Sequence, residues 1–293
     1  MNLLLALALF IPCTVIGQAA SQPPTSPRHE KWLKFKQEHN ALAGGPAGML
    51  SILDMIQLVP GQSAYLRPSK SPAAARWSRE DQGGVKVEYD GSKAHLSGPG
   101  LEKTDILSSP GPKAALPNGL LVRASFLKEK VLKVWLHDPE SPRRKAFTGL
   151  PFFPYDPEGV VTATFKKDRV PKAVPYLDSR NEKGTMYLAG TVGLKLKGQQ
   201  YHIPAYSYES TWSDIDGVMI FLLDKTSGKT TYGGGRVYYA EFAKGEPPAE
   251  LLFDLNAGHS FLCAHSRFYN CPLSLTTAIR AELTYGEKHP PKK

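Results

Sequence analysis

From residue 60 to its end, the chain is a series of short apolar or alternating segments separated by turn residues. Segment 85–89 alternates polar and apolar residues, Asp90-Gly91 is a favoured two-residue hairpin turn, and 93–96 returns. Such segments, at a spacing of roughly ten residues, predict a mainly β fold, an antiparallel sandwich or barrel-like sheets. The predicted strands lie near 85–89, 93–96, 119–127, 131–137, 160–165, 173–177, 186–189, 192–196, 201–208, 218–223, 237–243, 251–254 and 278–283.

Before residue 60 the sequence predicts one amino-terminal helix. Ser26 is a good helix cap, Pro27 suits the first helical position, and apolar residues within 32–35 form a stripe among lysines. The helix is expected to end near Ala43, before a Gly-Gly-Pro run. The next segment, 49–59, is strongly apolar, and its period does not separate a helix from a buried strand.

The first 20 residues contain no charged side chain and have an apolar core at 3–16. An apolar run of this length, followed by small residues, predicts a secretory signal peptide over residues 1–20 rather than a membrane span. A lipid anchor at Cys13 is the less favoured alternative, because Pro12 occupies a position where a small residue is expected. The mature protein is therefore expected to be secreted or periplasmic, without a transmembrane segment.

The chain is basic, with 36 Lys and Arg against 27 Asp and Glu and a formal net charge of +9. A basic secreted protein attracts anionic envelope polymers and acidic glycans, although the same charges also serve simply as a solvated surface. The basic residues are scattered, and neither a basic helix nor an aromatic RNA-binding motif accompanies them. Nucleic acid is therefore not an expected partner.

A domain boundary is predicted within residues 97–118, which contain four prolines and little hydrophobic pattern. The boundary near residue 112 separates a small lobe, 21–112, from a larger lobe, 113–293. The smaller lobe carries the predicted helix and a few strands. The larger lobe contains most of the residues that could form a site.

The richest stretch for chemistry begins with the apolar run 218–223 and continues to three consecutive glycines at 233–235 and Arg236. Consecutive glycines between strands mark a place where no side chain fits or where positive φ is needed. The backbone N–H groups of such a loop, together with an arginine, can bind an anion. Alternatively, Arg236 pairs with Asp224 or Asp254 and holds two strands in register.

Three carboxylates are candidates for acid/base catalysis, namely Asp224, Asp254 and Glu287. They converge only if the strands that carry them are neighbours, which spacing alone does not establish. No Gly-x-Ser-x-Gly elbow is present, so a serine hydrolase is not indicated. Gly228-Lys229-Thr230 is not the end of a phosphate-binding P-loop, because Leu223 occupies the position of the required first glycine.

Cys263 and Cys271 remain after leader removal, and in an oxidising compartment such a pair most often forms a disulfide. A metal site with His259 and His265 is an alternative, but the cysteine spacing is not a standard one for zinc. Free thiols, including a Cys263–His259 nucleophile pair, are a further alternative.

These motifs together resemble a bacterial and archaeal family known as a domain of unknown function, number sixteen eighty-four. The resemblance extends over nearly the whole mature chain and rests on an opening apolar segment (49–61), a middle motif (137–150) and a carboxy-terminal signature: Asp224, Thr226, Thr231 to Arg236, Asp254, Asn256, Cys263, Cys271 to Leu273 and Gly286 to Lys288. The chain departs from the family pattern at 260–262 and 274–277, where Asn-Pro, and then Pro-Pro with a downstream Asn, are usual. If those groups shape a site, this member binds something different or has lost activity.

The leading functional hypothesis is a protein that binds a small anionic or carbohydrate-like ligand, such as an envelope glycan, beside the glycine loop and the Cys263–Cys271 loop. The predicted ligand-binding residues are Tyr232, Gly233, Gly234, Gly235, Arg236, Asp254 and Asn256. One alternative is an envelope hydrolase that uses the paired carboxylates, and a second is a flavin- or metal-dependent protein. No cofactor or metal is predicted, and the ligand, any reaction and the oligomeric state remain open.

Overall fold

The computed structural model describes residues 26–288 except 68, 70, 82, 108–112 and 129. The predicted leader over 1–20 and the predicted lobe boundary at residue 112 lie outside the described residues. Within them there are two α-helices, α1 (Pro27–Gly44) and α2 (Pro142–Lys145). The strands in chain order are β1 (Ile52–Leu58), β2 (Gln62–Leu66), β3 (Trp77–Ser78), β4 (Lys86–Tyr89), β5 (Ala94–Gly98), β6 (Leu101–Asp105), β7 (Lys113–Ala115), β8 (Leu121–Lys128), β9 (Val131–His137), β10 (Val160–Leu177), β11 (Lys183–Leu196), β12 (Gln199–Ser207), β13 (Gly217–Leu223), β14 (Arg236–Glu241), β15 (Glu250–Asp254), β16 (His259–Ser260) and β17 (Thr277–Ala278).

Two antiparallel sheets pack together in the first half of the described chain. One has the order β3-β2-β4-β5-β6, and the other has the order β1-β9-β8-β7. Their shared core contains Leu58, Tyr89, Val122 and Leu136, all buried. The strongly apolar segment that follows α1 therefore becomes a buried strand, β1, after a short 3₁₀ turn at Met49–Ser51.

A larger sheet of eight strands fills the second half, in the order β15-β10-β11-β12-β13-β14-β16, with β17 pairing beside β13. It ends at β15 on one side and β16 on the other, so it is an open sheet within the described chain. One face packs around buried Val192, Ile220, Leu222 and Phe253. The prediction of a mainly β protein with antiparallel sheets and an amino-terminal helix is confirmed.

Helix α1 begins as predicted, because the Ser26 hydroxyl accepts a hydrogen bond from the backbone N–H of His29 at 3.2 Å. Its buried residues are Trp32, His39 and Ala43, spaced seven and four residues apart, whereas Leu33 is 44% exposed. The predicted stripe was therefore right at Trp32 and wrong at Leu33. No helix in the described part of the chain is long and apolar enough to cross a membrane.

The predicted strand at 278–283 is wrong beyond its first residue, because only Thr277–Ala278 pairs with β13. Directly after β17 the backbone still bonds beside β13, where the Ile279 N–H donates to the carbonyl of Leu223 at 2.8 Å and the Ala281 carbonyl accepts from the Lys225 N–H at 2.9 Å. The carbonyl of Leu283 accepts from the Arg236 guanidinium at 3.0 Å, and its N–H donates to Asp224 at 3.4 Å. At Leu283 the buried Arg236–Asp224 pair therefore supplies the hydrogen-bond partners that a neighbouring strand would otherwise provide.

Candidate functional site

A cavity of about 610 Å³ lies between α1 and the large sheet. Strands β13 and β14 form much of its wall. Because side chains on a strand alternate between its two faces, residues two positions apart on each strand face the cavity. Met219 and Phe221 of β13 line the cavity, while Ile220 between them faces the core on the other side of the sheet. On β14, Val237 and Tyr239 line the cavity in the same way. The cavity wall is therefore largely apolar.

Large apolar side chains are left exposed inside this concave region. Tyr208 is 57% exposed, Leu252 49% and Tyr239 44%, and all three line the cavity. Trp32 and Phe35 of α1 face them from the helix side. A contiguous exposed apolar surface within a concave region is typical of a binding site, whereas isolated exposed apolar residues are not.

Charged side chains lie around the same cavity. Arg28 and Lys31 come from the first turns of α1, and Glu241 and Asp254 come from the ends of β14 and β15. The Lys31 Nζ is 3.5 Å from Glu241 Oε2, with both side chains well exposed. Such a pair contributes little to stability, so both groups remain available to a bound molecule.

The predicted anion clamp, Arg236, lies in the interior rather than in the cavity. Its side chain is fully buried, and Nη2 donates to Asp224 Oδ2 at 2.6 Å. The guanidinium also donates to the carbonyls of Leu283 and Tyr285 and to the Thr226 hydroxyl. Asp224 in turn accepts from the N–H and hydroxyl of Thr226 at 2.8 and 2.6 Å. This is the alternative arrangement, in which the arginine holds elements of the fold together.

At two positions of the glycine loop, Gly234 and Gly235, there is no room for a side chain. A Cβ added to Gly235, whose φ is +93°, would lie 2.5 Å from the carbonyl oxygen of Leu222. A Cβ on Gly234 would lie 2.5 Å from the Tyr232 ring. Neither these glycines nor Tyr232 and Gly233 line the cavity described above. The two glycines are required by close approach within the fold.

Asp254 and Asn256 are joined but have different surroundings. Asp254 caps a short 3₁₀ turn, and its Oδ1 accepts from both the backbone N–H and the Nδ2 of Asn256 at 2.9 Å. Asn256 is buried and also exchanges two hydrogen bonds with the backbone of Asp156. Asp254 lines the cavity, so it is the predicted polar residue that a bound molecule can reach.

Glu287 is the centre of a buried cluster. Its carboxylate has no exposure, lies 2.9 Å from His265 Nε2 and 3.4 Å from His39 Nε2, and accepts the Ser260 N–H at 2.9 Å. Burial raises the pKa of this carboxyl, but the contacts with His265 and His39 outweigh burial and hold the pKa well below its usual range. Glu287 therefore stays ionised and connects α1 with the carboxy-terminal segment.

The three candidate acid/base residues belong to three separate hydrogen-bond networks. Asp224 is bonded to Arg236, Asp254 to Asn256, and Glu287 lies between two histidines. No group of three or more His, Cys, Asp or Glu side chains is arranged to hold a metal ion in the described part of the chain.

Cys263 and Cys271 are adjacent free thiols. The Cys263 N–H donates to Cys271 Sγ at 3.3 Å, and the Tyr232 hydroxyl lies 3.8 Å from Cys263 Sγ. A hydrogen bond from the Cys271 thiol lowers the pKa of Cys263, while burial opposes this shift only in part. Cys271 lines the cavity, together with Tyr269 and Asn270 of the same loop.

Sequence reasoning missed the contribution of α1 and of His259 to the cavity. In the sequence, the aromatic residues at 206, 208, 212, 232, 238 and 239 can either line a groove or cover a sheet. Of these, Tyr208 and Tyr239 line the cavity. Tyr239 follows Val237 by two residues on one strand, and this spacing indicates that the two side chains share a face of the sheet. Nothing in the spacing indicated that α1 would pack over that face.

Comparisons with known proteins support the family and leave its activity open. No curated protein matches the chain. An uncharacterized protein of Haloarcula marismortui, solved by solution NMR, shares 25% identity with a TM-score of 0.41, and the match covers 51% of this chain and 82% of the other. The model of the family described as "Protein of unknown function (DUF1684)" matches residues 145–288, a range that holds the carboxy-terminal signature but not the opening motif. The chain belongs to this DUF1684 family.

Proposed function

We propose that this protein binds a small amphipathic molecule in the cavity between α1 and the large sheet. The observation that carries the proposal is the concave apolar surface on which Tyr208, Tyr239 and Leu252 remain 44–57% exposed. Leaving side chains of this size in contact with water is unfavourable, and burial of apolar area stabilises by roughly 25 cal/mol per Å². A ligand that covers these side chains would gain that free energy.

The lining supports a ligand with a flat apolar body and at least one polar end. The rings of Tyr208 and Tyr239 provide surfaces for an aromatic or sugar ring, and Phe221 extends the apolar wall. If the ligand is anionic, the cations within reach are Arg28 and Lys31, since Arg236 is bonded inside the fold. Asp254 is placed to bind a hydroxyl or a cation.

Binding is favoured over hydrolysis because the candidate carboxylates have partners within the protein. General acid/base catalysis of hydrolysis by two carboxyl groups needs both groups beside the same substrate bond. Of the three candidates, Asp224 and Glu287 are buried, and Asp254 alone lines the cavity. The geometry therefore supports structural roles for Asp224 and Glu287.

A naphthalene probe tests the proposed function. We expect 2-naphthol to bind the wild-type protein in isothermal titration calorimetry, and a Leu252→Trp variant, which fills the cavity, to bind at least about 10-fold more weakly. The matched control is Leu177→Trp, because Leu177 is similarly exposed at 54% but lies outside the cavity. Equal weakening in both variants, or no binding to the wild type, would contradict the proposed site.

We further propose export and a disulfide between Cys263 and Cys271. The adjacent sulfurs and the lowered pKa of Cys263 favour formation of the bond in an oxidising compartment. Protein purified from the secreted or periplasmic fraction should lack residues 1–20, and its denatured mass should be lower by one hydrogen per cysteine. Both cysteines should react with iodoacetamide only after reduction. Alkylation of the denatured protein without reductant would argue against the disulfide.

A further inference from the structure

His259 is the imidazole that lines the cavity. It begins β16, where its backbone pairs with Val237 of β14, and side chains of paired residues lie on the same face of a sheet. Val237 also lines the cavity, so the register places the His259 ring beside the apolar wall. The next residue, Ser260, has the opposite orientation and is buried near Glu287.

The hydrogen bond of one ring nitrogen defines the tautomer of His259. Nδ1 lies 2.9 Å from the carbonyl oxygen of Ser260. A carbonyl oxygen only accepts hydrogen bonds, so Nδ1 carries the proton and donates it. In the neutral ring, Nε2 is then unprotonated and has a lone pair available to a bound molecule.

Burial and the neighbouring titratable groups together keep the His259 ring neutral at pH 7. Burial, together with the proximity of His39, whose ring centroid is 4.7 Å away, lowers the pKa of His259 to about 4. His39 comes from α1, His265 from the loop that contains the cysteines, and Glu287 from the carboxy-terminal segment. Glu287 favours protonation of His259, but its carboxylate lies directly against His39 and His265.

We propose that Nε2 of His259 is the hydrogen-bond acceptor that the cavity presents to its ligand, and that the site selects an apolar molecule bearing a hydroxyl or amide N–H donor. This inference rests on the proposed function. Arg28 and Lys31 are donors only. The carboxylates of Glu241 and Asp254, at the ends of β14 and β15, are also acceptors, so variants of His259 are needed to assign the preference to its ring.

Two probes of nearly identical shape separate this inference from binding in general. 2-Naphthol has a hydroxyl donor, whereas 2-methoxynaphthalene has the same ring system and no donor. Hydrophobicity alone favours the methoxy compound, because it carries an extra methyl group. We expect the wild-type protein at pH 7 to bind 2-naphthol about 5- to 10-fold more tightly in calorimetry, consistent with one added hydrogen bond.

Variants then assign the preference to His259. His259→Phe should bind 2-methoxynaphthalene as the wild type does and should lose the preference for 2-naphthol. His259→Gln should retain part of the preference, because its side-chain carbonyl is an acceptor at a similar distance from the backbone. In the wild type, the preference should also disappear as the pH falls below about 4, where His259 becomes protonated.

The possible results separate the role of His259 from binding in the cavity. If both probes bind the wild type equally, His259 is not the acceptor, although binding in the cavity stands. If neither probe binds, the proposed function is wrong and this inference fails with it. An absent preference in the wild type overturns the inference without any variant, and His259→Gln assigns the preference if His259→Phe does not fold. A preference that persists in His259→Phe would also overturn the inference.

Discussion

Replacing Arg236 with Met should lower the free energy of unfolding by about 3–5 kcal/mol. Both side chains of the Arg236–Asp224 pair have no exposure, and their charged groups are 2.6 Å apart. Removing the guanidinium leaves the Asp224 carboxylate buried without its counter-charge, and the carbonyls of Leu283 and Tyr285 lose their donor. Urea or guanidinium chloride unfolding followed by circular dichroism measures the loss.

Two controls separate this buried pair from charge effects in general. The double variant Arg236→Met with Asp224→Leu should recover part of the lost stability, because no uncompensated charge remains in the interior. Glu140→Ala removes an exposed ion pair with Lys145, whose charged groups are 2.7 Å apart, and should leave the unfolding transition unchanged. If Arg236→Met instead kept its stability and lost binding of 2-naphthol, Arg236 would be a ligand contact.

Local patterns predicted the hairpins well. The alternation at 85–89 and the Asp90-Gly91 turn correspond to β4 and β5, in which Val87 pairs with Leu96. The apolar run at 218–223 corresponds to β13, Gly217–Leu223. In both cases the signal is contained within a few neighbouring residues, so no information about the rest of the fold was needed.

The full length of the longer strands could not be predicted from patterns of a few neighbouring residues. Segments 160–165 and 173–177 looked like two strands, but both belong to β10, Val160–Leu177. A bulge lies between them, because β10 advances from Lys167 to Lys172 while its partner β11 moves only from Gly190 to Leu188. The charged residues of the bulge interrupt the alternation and suggest a turn, whereas pairing with β11 keeps the chain extended.

The site depends on side-chain directions and on contacts between distant parts of the chain, which local sequence patterns do not contain. The sequence left open whether the triple glycine and Arg236 mark close packing or a binding site, because a linear sequence does not say which way a side chain points. Burial of Arg236 depends on the carboxy-terminal segment, 283–285, which lies about 50 residues away in the chain. The cavity itself exists because α1 packs over the sheet, anchored by the Trp32 Nε1–H donating to the carbonyl of Asn256 at 2.9 Å.

Glu287→Gln should lower the free energy of unfolding by about 2–3 kcal/mol at pH 7, because hydrogen bonds from buried groups to an ionised carboxylate are stronger than those to a neutral amide. The substitution keeps the shape and an acceptor for the Ser260 N–H, so the loss reports the missing charge beside His39 and His265. A carboxyl whose pKa is lowered by folding stabilises the native state fully above its unfolded pKa of about 4.5. That contribution disappears as the pH falls through the lower folded-state pKa. The difference between wild type and Glu287→Gln should therefore narrow progressively below pH 4.5.

Glu282→Gln is the matched control, because it makes the same chemical change at an exposed residue of the same segment. It should leave the denaturation midpoint unchanged at every pH. His259 is present in wild type and variant alike, and its lowered pKa makes both proteins less stable as the pH falls from about 6.5 to about 4. Taking the difference between the two proteins removes this shared effect to a first approximation. If Glu287→Gln were as stable as the wild type at pH 7, the carboxylate would not be an anchor for α1, and a catalytic role for Glu287 would regain support.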